Sequence, residues 1–314
     1  MDFFRPDKKG RRFHLVYKDD IRVLEDYVQS LALFDRVIEV GQFSPTEFLA
    51  SDDIYVFTQM WLPVQQSLDL VRHPRFIFLN VENLTEQSRF NQVRAFLDNG
   101  ARVADYSLAN IKLVETEAQV QGQTLGLPML HFPYQAHPRD FAQIFNPEHH
   151  YDFDVGIINA YVEPNFESNA EGLVYRRNLL WQELQRQSDI SSINVMGWGS
   201  ERDAITQRCR IIANVHHFEC FRIFQHIRCD RLIFANKVVV SEDSLMGDQL
   251  DLAHCFISCH YDNLIATLRQ ALQQFDRIQE TLEAMPKQPI YQARRQDFQM
   301  TLDKLLQQIE ECGH

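Results

Sequence analysis

No apolar run in the sequence approaches the ~20 residues that a bilayer-crossing helix requires, and the start, MDFFRPDKKGRRFHLVY, has no signal-peptide core ahead of a cleavage site. Cysteine is scarce. Five of the six lie between Cys209 and Cys259, which is not a secreted disulfide framework, and reduced thiols in the cytoplasm fit them better. No pair has C-x-x-C spacing, so the cluster from His216 to His260 reads as packed residues and no metal is expected. Surplus positive charge is missing too: 31 Lys and Arg face 43 Asp and Glu, a net −12, which excludes general nucleic-acid binding. The one basic cluster, Lys8-Lys9-Gly10-Arg11-Arg12, reads as a solvated N-terminal tail with at most peripheral membrane contact. Also absent are G-x-G-x-x-G, a Walker motif and a G-x-S-x-G elbow, which argues against dinucleotide, P-loop and serine-hydrolase chemistry.

What is present suits a large core. Hydrophobic residues make up 45% and charged residues 24% of the 314, a length typical of two domains. The 23 phenylalanines fall mostly inside apolar runs and read as core. Short apolar runs alternate with amphipathic stretches, the pattern of parallel βα units. Strands are predicted over Phe13–Tyr17, Arg36–Val40, Ile54–Phe57, Phe76–Asn80 and Arg102–Ala104, with a helix over Ile21–Leu33. The stretch 136–152 loses this periodicity, gains Pro138 and Pro147, and reads as a linker. A second series follows, with strands predicted over Phe153–Asn159, Ile193–Met196, Arg210–Val215 and Lys237–Val240, and a last short one within Ala253–Ser258. Helices are predicted over Val174–Gln187 and Glu219–Arg231. From Leu264 to Leu282 apolar residues recur at steps of three or four; Pro286 and Pro289 interrupt, and Phe298, Leu302, Leu305 and Ile309 resume the stripe. The fold expected is α/β: two Rossmann-like domains, 1–135 and 153–270, facing a cleft, with C-terminal helices over 271–314.

Polar residues gather where the predicted strands end, the edge at which open α/β sheets bind phosphorylated and hydroxyl-rich ligands. In the second half these are Asn214, His216, His217, Glu219, Arg222, Ser241, Glu242 and Ser244. Glu219 and Arg222 are three apart and would share a helical face, free to pair or to meet a diphosphate. Glu242 follows a buried strand, where an unpaired carboxylate is expensive and a ligand hydroxyl would satisfy it. Gly197-Trp198-Gly199 closes another strand with a turn whose amides can approach a phosphate, or that simply reverses the chain. In the first half, Glu82 and Asn83 follow Phe76–Asn80, and Asp105-Tyr106-Ser107 follows Arg102–Ala104 with Asn110 close behind. Asp105 or Ser107 can cap the helix beginning near Leu108, and the two carboxylates are expected to face the cleft.

These pieces carry a resemblance over roughly residues 50 to 270. Asn80-Val81-Glu82-Asn83-Leu84, Asp105-Tyr106-Ser107 with Asn110, and Leu127-Pro128 resemble the N-terminal half of a group of GT-B-type glycosyltransferases. The strand Asp154–Ile158, the Gly197-Trp198-Gly199 turn and Asn214–Ser244 resemble that group's nucleotide-sugar domain, with its N-x-H turn, Glu-x-x-Arg-Ile helix and V-V-S-E strand end. The resemblance implies a cytoplasmic, metal-independent enzyme with no cofactor beyond its donor substrate. It would move a sugar from a nucleotide-diphosphate donor to a glycan, glycolipid or protein hydroxyl in the interdomain cleft, as in polysaccharide biosynthesis. Glu242 or Glu219 would hold ribose or sugar hydroxyls, and Arg222 and His216 would offset the diphosphate charge. Retaining members carry two glutamates eight positions apart, but eight beyond Glu219 stands Ile227, so the stereochemical outcome stays open. For inversion, Glu82 or Asp105 would deprotonate the acceptor. A sugar-nucleotide epimerase and a catalytically inactive two-domain binding protein are the alternatives.

Overall fold

A computed structural model describes residues 4–18, 21–58, 68–136, 150–158 and 175–312. Its contacts divide the chain into two compact units, 2–135 with 291–314, and 136–290. Most of the expected linker, 137–149, lies outside the described residues.

In the N-terminal unit the strands are β1 (Phe13–Tyr17), β2 (Arg36–Glu39), β3 (Ile54–Thr58), β4 (Phe76–Asn80), β5 (Arg102–Asp105) and β6 (Leu130–His131). They form one parallel sheet in the order β2-β1-β3-β4-β5-β6. Every residue of β3, β4 and β5 is buried, as strands covered on both faces require, whereas edge strand β2 is mostly exposed. Helices α1 (Glu25–Leu31), α2 (Pro45–Ala50), α3 (Leu68–Val71), α4 (Gln87–Asp98) and α5 (Leu108–Val120) connect the strands. Phenylalanine fills the core as expected: Phe57 stacks on Phe76 and Phe78 on Phe96, each at 4.2 Å between centroids.

The C-terminal unit repeats the design with β7 (Phe153–Ile158), β8 (Ser192–Val195), β9 (Cys209–Asn214), β10 (Val238–Glu242) and β11 (Ile257–Cys259), ordered β11-β10-β9-β7-β8 and all parallel. In both sheets the first strand lies between the second and the third, so the direction of winding reverses between β1 and β3 and again between β7 and β9. Crevices at such reversals are where doubly wound sheets bind ligands. Helices α6 (Arg176–Gln185), α7 (Gly199–Gln207), α8 (His226–Phe234), α9 (Leu264–Gln273) and α10 (Phe275–Ala284) complete the unit. Asp203 on α7 and Arg231 on α8 pair at 2.6 Å with both side chains buried, which fixes these two helices to each other.

The helices of 271–314 are divided between the units. α11 (Gln288–Cys312) opens with Pro289 in its first turn, where the missing N–H costs nothing. From Tyr291 onward it belongs to the N-terminal unit: Phe298 packs edge-on against Phe132 at 5.1 Å, and Arg294 donates to the Tyr134 carbonyl at 3.1 Å. The basic cluster near the start is not a solvated tail. Lys8, Lys9, Arg11 and Arg12 face Asp35, Asp303, Asp52 and Asp53 at 2.6, 3.7, 4.0 and 2.9 Å. Among the described residues no helix is long and apolar enough to cross a membrane.

Close packing in the second sheet gives a direct test. A Cβ on Gly156, in the middle of β7, would lie 2.8 Å from Cys209 Sγ, 2.9 Å from Ile212 Cδ1 and 2.9 Å from Val195 Cγ2. Gly156→Ala is therefore expected to lower unfolding stability by roughly 1–3 kcal/mol in urea denaturation. An unchanged midpoint would contradict this packing.

Candidate functional site

The carboxyl ends of β9 and β10 carry the densest polar cluster. Asn214 and Ser241 are paired in register across these strands, and Asn214 Nδ2 donates to Ser241 Oγ at 2.9 Å. Glu242, only 4% exposed, ends β10. Its Oε2 accepts the His216 amide at 3.0 Å, and its Oε1 pairs with Nη1 of Arg176. Arg176 and Arg177 open α6, whose first turn holds no acidic residue. The Arg176 amide donates to the His217 carbonyl at 3.1 Å, and Arg177 Nε donates to the Val215 carbonyl at 2.9 Å. The start of α6 is thus stitched to the turn after β9, beside the reversal of winding between β7 and β9.

The electrostatics are lopsided. Arg177 is 9% exposed, and no carboxylate lies within ion-pair distance of it among the described residues. Burial, with Arg228 nearby, pushes its pKa well down, and Cys229 and Glu242 oppose that shift only in part. Burial also lowers the His216 imidazole to about 4, helped by Arg177 and Arg176 and opposed by a bond to the Asp243 carbonyl. His216 is therefore neutral at pH 7 and cannot supply the positive charge expected of it. Its Nε2 meets the Asp243 carbonyl at 3.0 Å and Ser244 Oγ at 3.3 Å. Burial raises Glu242, and Arg176 opposes that rise. Two buried polar atoms, His216 Nδ1 and Asn214 Oδ1, have no hydrogen-bond partner among the described residues.

Other expected residues fall elsewhere. The predicted helix over Glu219–Arg231 begins only at His226, so Glu219 and Arg222 share no helical face. Glu219 sits in a turn with an exposed carboxylate, 3.4 Å from Arg176 Nη2. Arg222 is exposed, and its carbonyl accepts the Leu245 amide at 2.6 Å. In the free protein Glu242 Oε1, expected to meet a ligand hydroxyl, pairs with Arg176. Gly197 (φ +85°) and Trp198 form the turn from β8 into α7, and β8 is an edge strand separated from β9 by β7. Sequence reasoning missed Arg176 and Arg177. Their signal was two cations at a helix start, where the helix dipole disfavours positive charge.

In the N-terminal unit, Asp105 is fully buried rather than turned to solvent. Its carboxylate accepts Asn80 Nδ2 at 2.6 Å, the Ser107 amide at 2.7 Å and Asn110 Nδ2 at 3.1 Å, tying the ends of β4 and β5 to the start of α5. Ser107 occupies the cap position of α5 but makes no side-chain cap bond. Glu82 is half-buried and pairs with Arg89 at 2.9 Å; burial raises its pKa and Arg89 opposes the rise. Burial lifts Asp105 to about 7 against its three hydrogen bonds. The folded protein thus holds this proton more tightly than the unfolded chain, whose Asp titrates near ~3.9. The resulting stability is fully present below about pH 4 and is lost as the pH rises toward about 7. Asp105→Asn cannot ionise and is expected to flatten that slope, by on the order of 4 kcal/mol at most. Urea denaturation at several pH values across this window checks it, and an unaltered slope would contradict the assignment.

No protein-family model matches this chain. Three uncharacterized proteins of Acanthamoeba polyphaga mimivirus are similar to it. L140 is 27% identical over 88% of this chain and 86% of its own length. R358 is 26% identical over 83% and 88%. L137 is 25% identical over 87% of this chain, which spans only 35% of L137. Among solved structures, an α1,3-fucosyltransferase is similar at 10% identity and a TM-score of 0.44, covering 91% of this chain and 84% of that one. A glycosyltransferase from Rickettsia africae is similar at 11% identity and a TM-score of 0.44, covering 96% of this chain and 98% of that one.

Proposed function

We propose that the protein is a glycosyltransferase whose C-terminal unit binds a nucleoside-diphosphate sugar and whose activity moves that sugar to a hydroxyl of a glycan, glycolipid or protein. The observation that carries this reading is Arg177, a buried cation with no carboxylate partner among the described residues, beside Arg176 at the edge where doubly wound sheets receive ligands. Two adjacent guanidinium groups suit a diphosphate, which they bind through charge-assisted hydrogen bonds. As the bond from sugar to diphosphate breaks, negative charge grows on the leaving oxygen, and cations held against it stabilise that charge more than they stabilise the bound donor. Arg176 and Arg177 take the part first assigned to Arg222 and His216. The neutral His216, with its unpartnered Nδ1, suits a hydroxyl or carbonyl of the donor instead. Glu242 serves the ribose or sugar diol.

Glu82 and Asp105 are the candidates for the base that takes the acceptor proton, with Glu219 a third carboxylate near the donor site. Glu82 and Glu219 reach solvent, and Asp105 does not. Burial raises the pKa of Glu82, which moves it toward the range a general base needs. Asp105 holds the segment that presents Glu82, since Asn110 Nδ2 bonds both the Asp105 carboxylate and the Glu82 carbonyl.

A thermal-shift panel of nucleotide sugars, run on the wild type and on Arg177→Met, tests the donor site. One donor is expected to raise the melting temperature of the wild type by several degrees, as ligand at about a hundredfold over Kd adds ~2.7 kcal/mol, and Arg177→Met should remove the rise. A rise retained in the variant would move the donor elsewhere. Release of nucleoside diphosphate only in the presence of a hydroxyl acceptor would separate transfer from epimerisation.

A further inference from the structure

Both oxygens of Glu242 are taken in the free protein, Oε1 by Arg176 and Oε2 by the His216 amide. The two partners are held differently. The His216 amide belongs to the backbone turn after β9 and cannot leave without unmaking that turn. The Arg176 guanidinium sits at the end of a flexible side chain and has three partners at once. One is buried Glu242, one is the Tyr261 ring at 4.5 Å, and one is Oε1 of exposed Glu219 at 3.4 Å. Tyr261 is itself anchored, its hydroxyl donating to the Arg176 carbonyl at 3.3 Å. A shift of the guanidinium along the Tyr261 ring, away from Glu242 and closer to Glu219, gives up one carboxylate while keeping the other and the cation–π contact. Arg177 has no such freedom, because its Nε is tied to the Val215 carbonyl.

We propose that Arg176 is an internal stand-in for the ligand, filling the diol's place on Glu242 until a nucleoside diphosphate arrives and the guanidinium moves onto the phosphates. This rests on the reading of the site as a nucleotide-sugar site. Arg176 gives Glu242 Oε1 one charge-assisted N–H donor, and a diol hydroxyl can donate to the same oxygen once that donor leaves. The exchange leaves no buried charge alone at either end. Glu242 keeps the His216 amide and gains the hydroxyls, while Arg176 gains phosphate oxygens. It also gives specificity. A nucleoside lacking phosphate must break the Arg176–Glu242 pair without offering the guanidinium anything, and a bare diphosphate must pull Arg176 away from Glu242 without offering the carboxylate anything. Only a ligand with both groups fills both vacated positions.

The test is calorimetric titration of uridine, guanosine and inorganic pyrophosphate into the wild type, Arg176→Met and Glu242→Gln. Arg176→Met is expected to bind one nucleoside about tenfold more tightly and pyrophosphate about tenfold more weakly than the wild type, each close to the ~1.4 kcal/mol of one charge-assisted bond. Glu242→Gln, which preserves side-chain shape, is expected to do the reverse, strengthening pyrophosphate and weakening the nucleoside. If both variants weaken both probes, or change neither, Arg176 is a fixed structural partner and the exchange is overturned. If the wild type and both variants bind no probe at all, the nucleotide reading itself fails and the exchange falls with it. Melting curves of each variant show which are folded, and Glu242→Gln alone decides the matter if Arg176→Met does not fold.

Discussion

An ionised carboxylate at the buried end of β10 has to be paired, and much of the C-terminal unit is arranged around doing so. Glu242 ends a strand with neighbours on both sides, β9 and β11. Leaving it alone there would cost several kcal/mol. Its two partners come from different places in the chain. His216 supplies an amide from the turn after β9, and Arg176 supplies a guanidinium from the start of α6. Satisfying one acid therefore fixes a turn and a helix start relative to a strand end. Arg177 is buried beside it with no carboxylate within ion-pair distance among the described residues, and Glu242 offsets its charge only from farther away. The acid has a direct ion-pair partner and the second cation has none among the described residues, an imbalance that supports the proposed anion site.

The N-terminal unit meets the same constraint differently. Asp105 also ends a buried strand, but its partners are two side-chain amides and one backbone amide rather than a guanidinium. Neutral donors oppose the effect of burial less than a cation does, and the carboxyl rises to about 7. With every donor fixed and no exposure, this acid holds structure together. Glu242 instead has a partner on a long side chain, which in the proposed exchange gives way to a ligand.

The architecture was legible because its signals are local. Continuous apolar runs such as Phe76–Asn80 announce strands covered on both faces, and the spacing between runs announces crossover helices. The helix predicted over Glu219–Arg231 begins only at His226, and Phe218, Phe221 and Phe224 lie ahead of it. In the fold these residues make a turn instead, packing Phe218 against Tyr175 at 5.1 Å and Phe221 at 5.2 Å, and Phe224 against Phe256 at 4.7 Å. Strand β10 runs two residues beyond the predicted Val240, because Ser241 and Glu242 continue the pairing with Ser258 and Cys259. The polar residues at strand ends were visible as candidates. Arg176 was not, since it reaches Glu242 across 66 positions, and Arg177 reaches Val215 across 38. Periodicity carries no information about contacts of that kind.

The central claim is that the uncompensated positive charge at the start of α6 exists to hold a diphosphate. A crystal structure of the protein with a bound nucleoside diphosphate tests it most directly. The account predicts phosphate oxygens within hydrogen-bonding distance of Arg177 and Arg176, with the ribose hydroxyls on Glu242. A nucleotide bound at any other edge of either sheet, with Arg177 untouched, would contradict it.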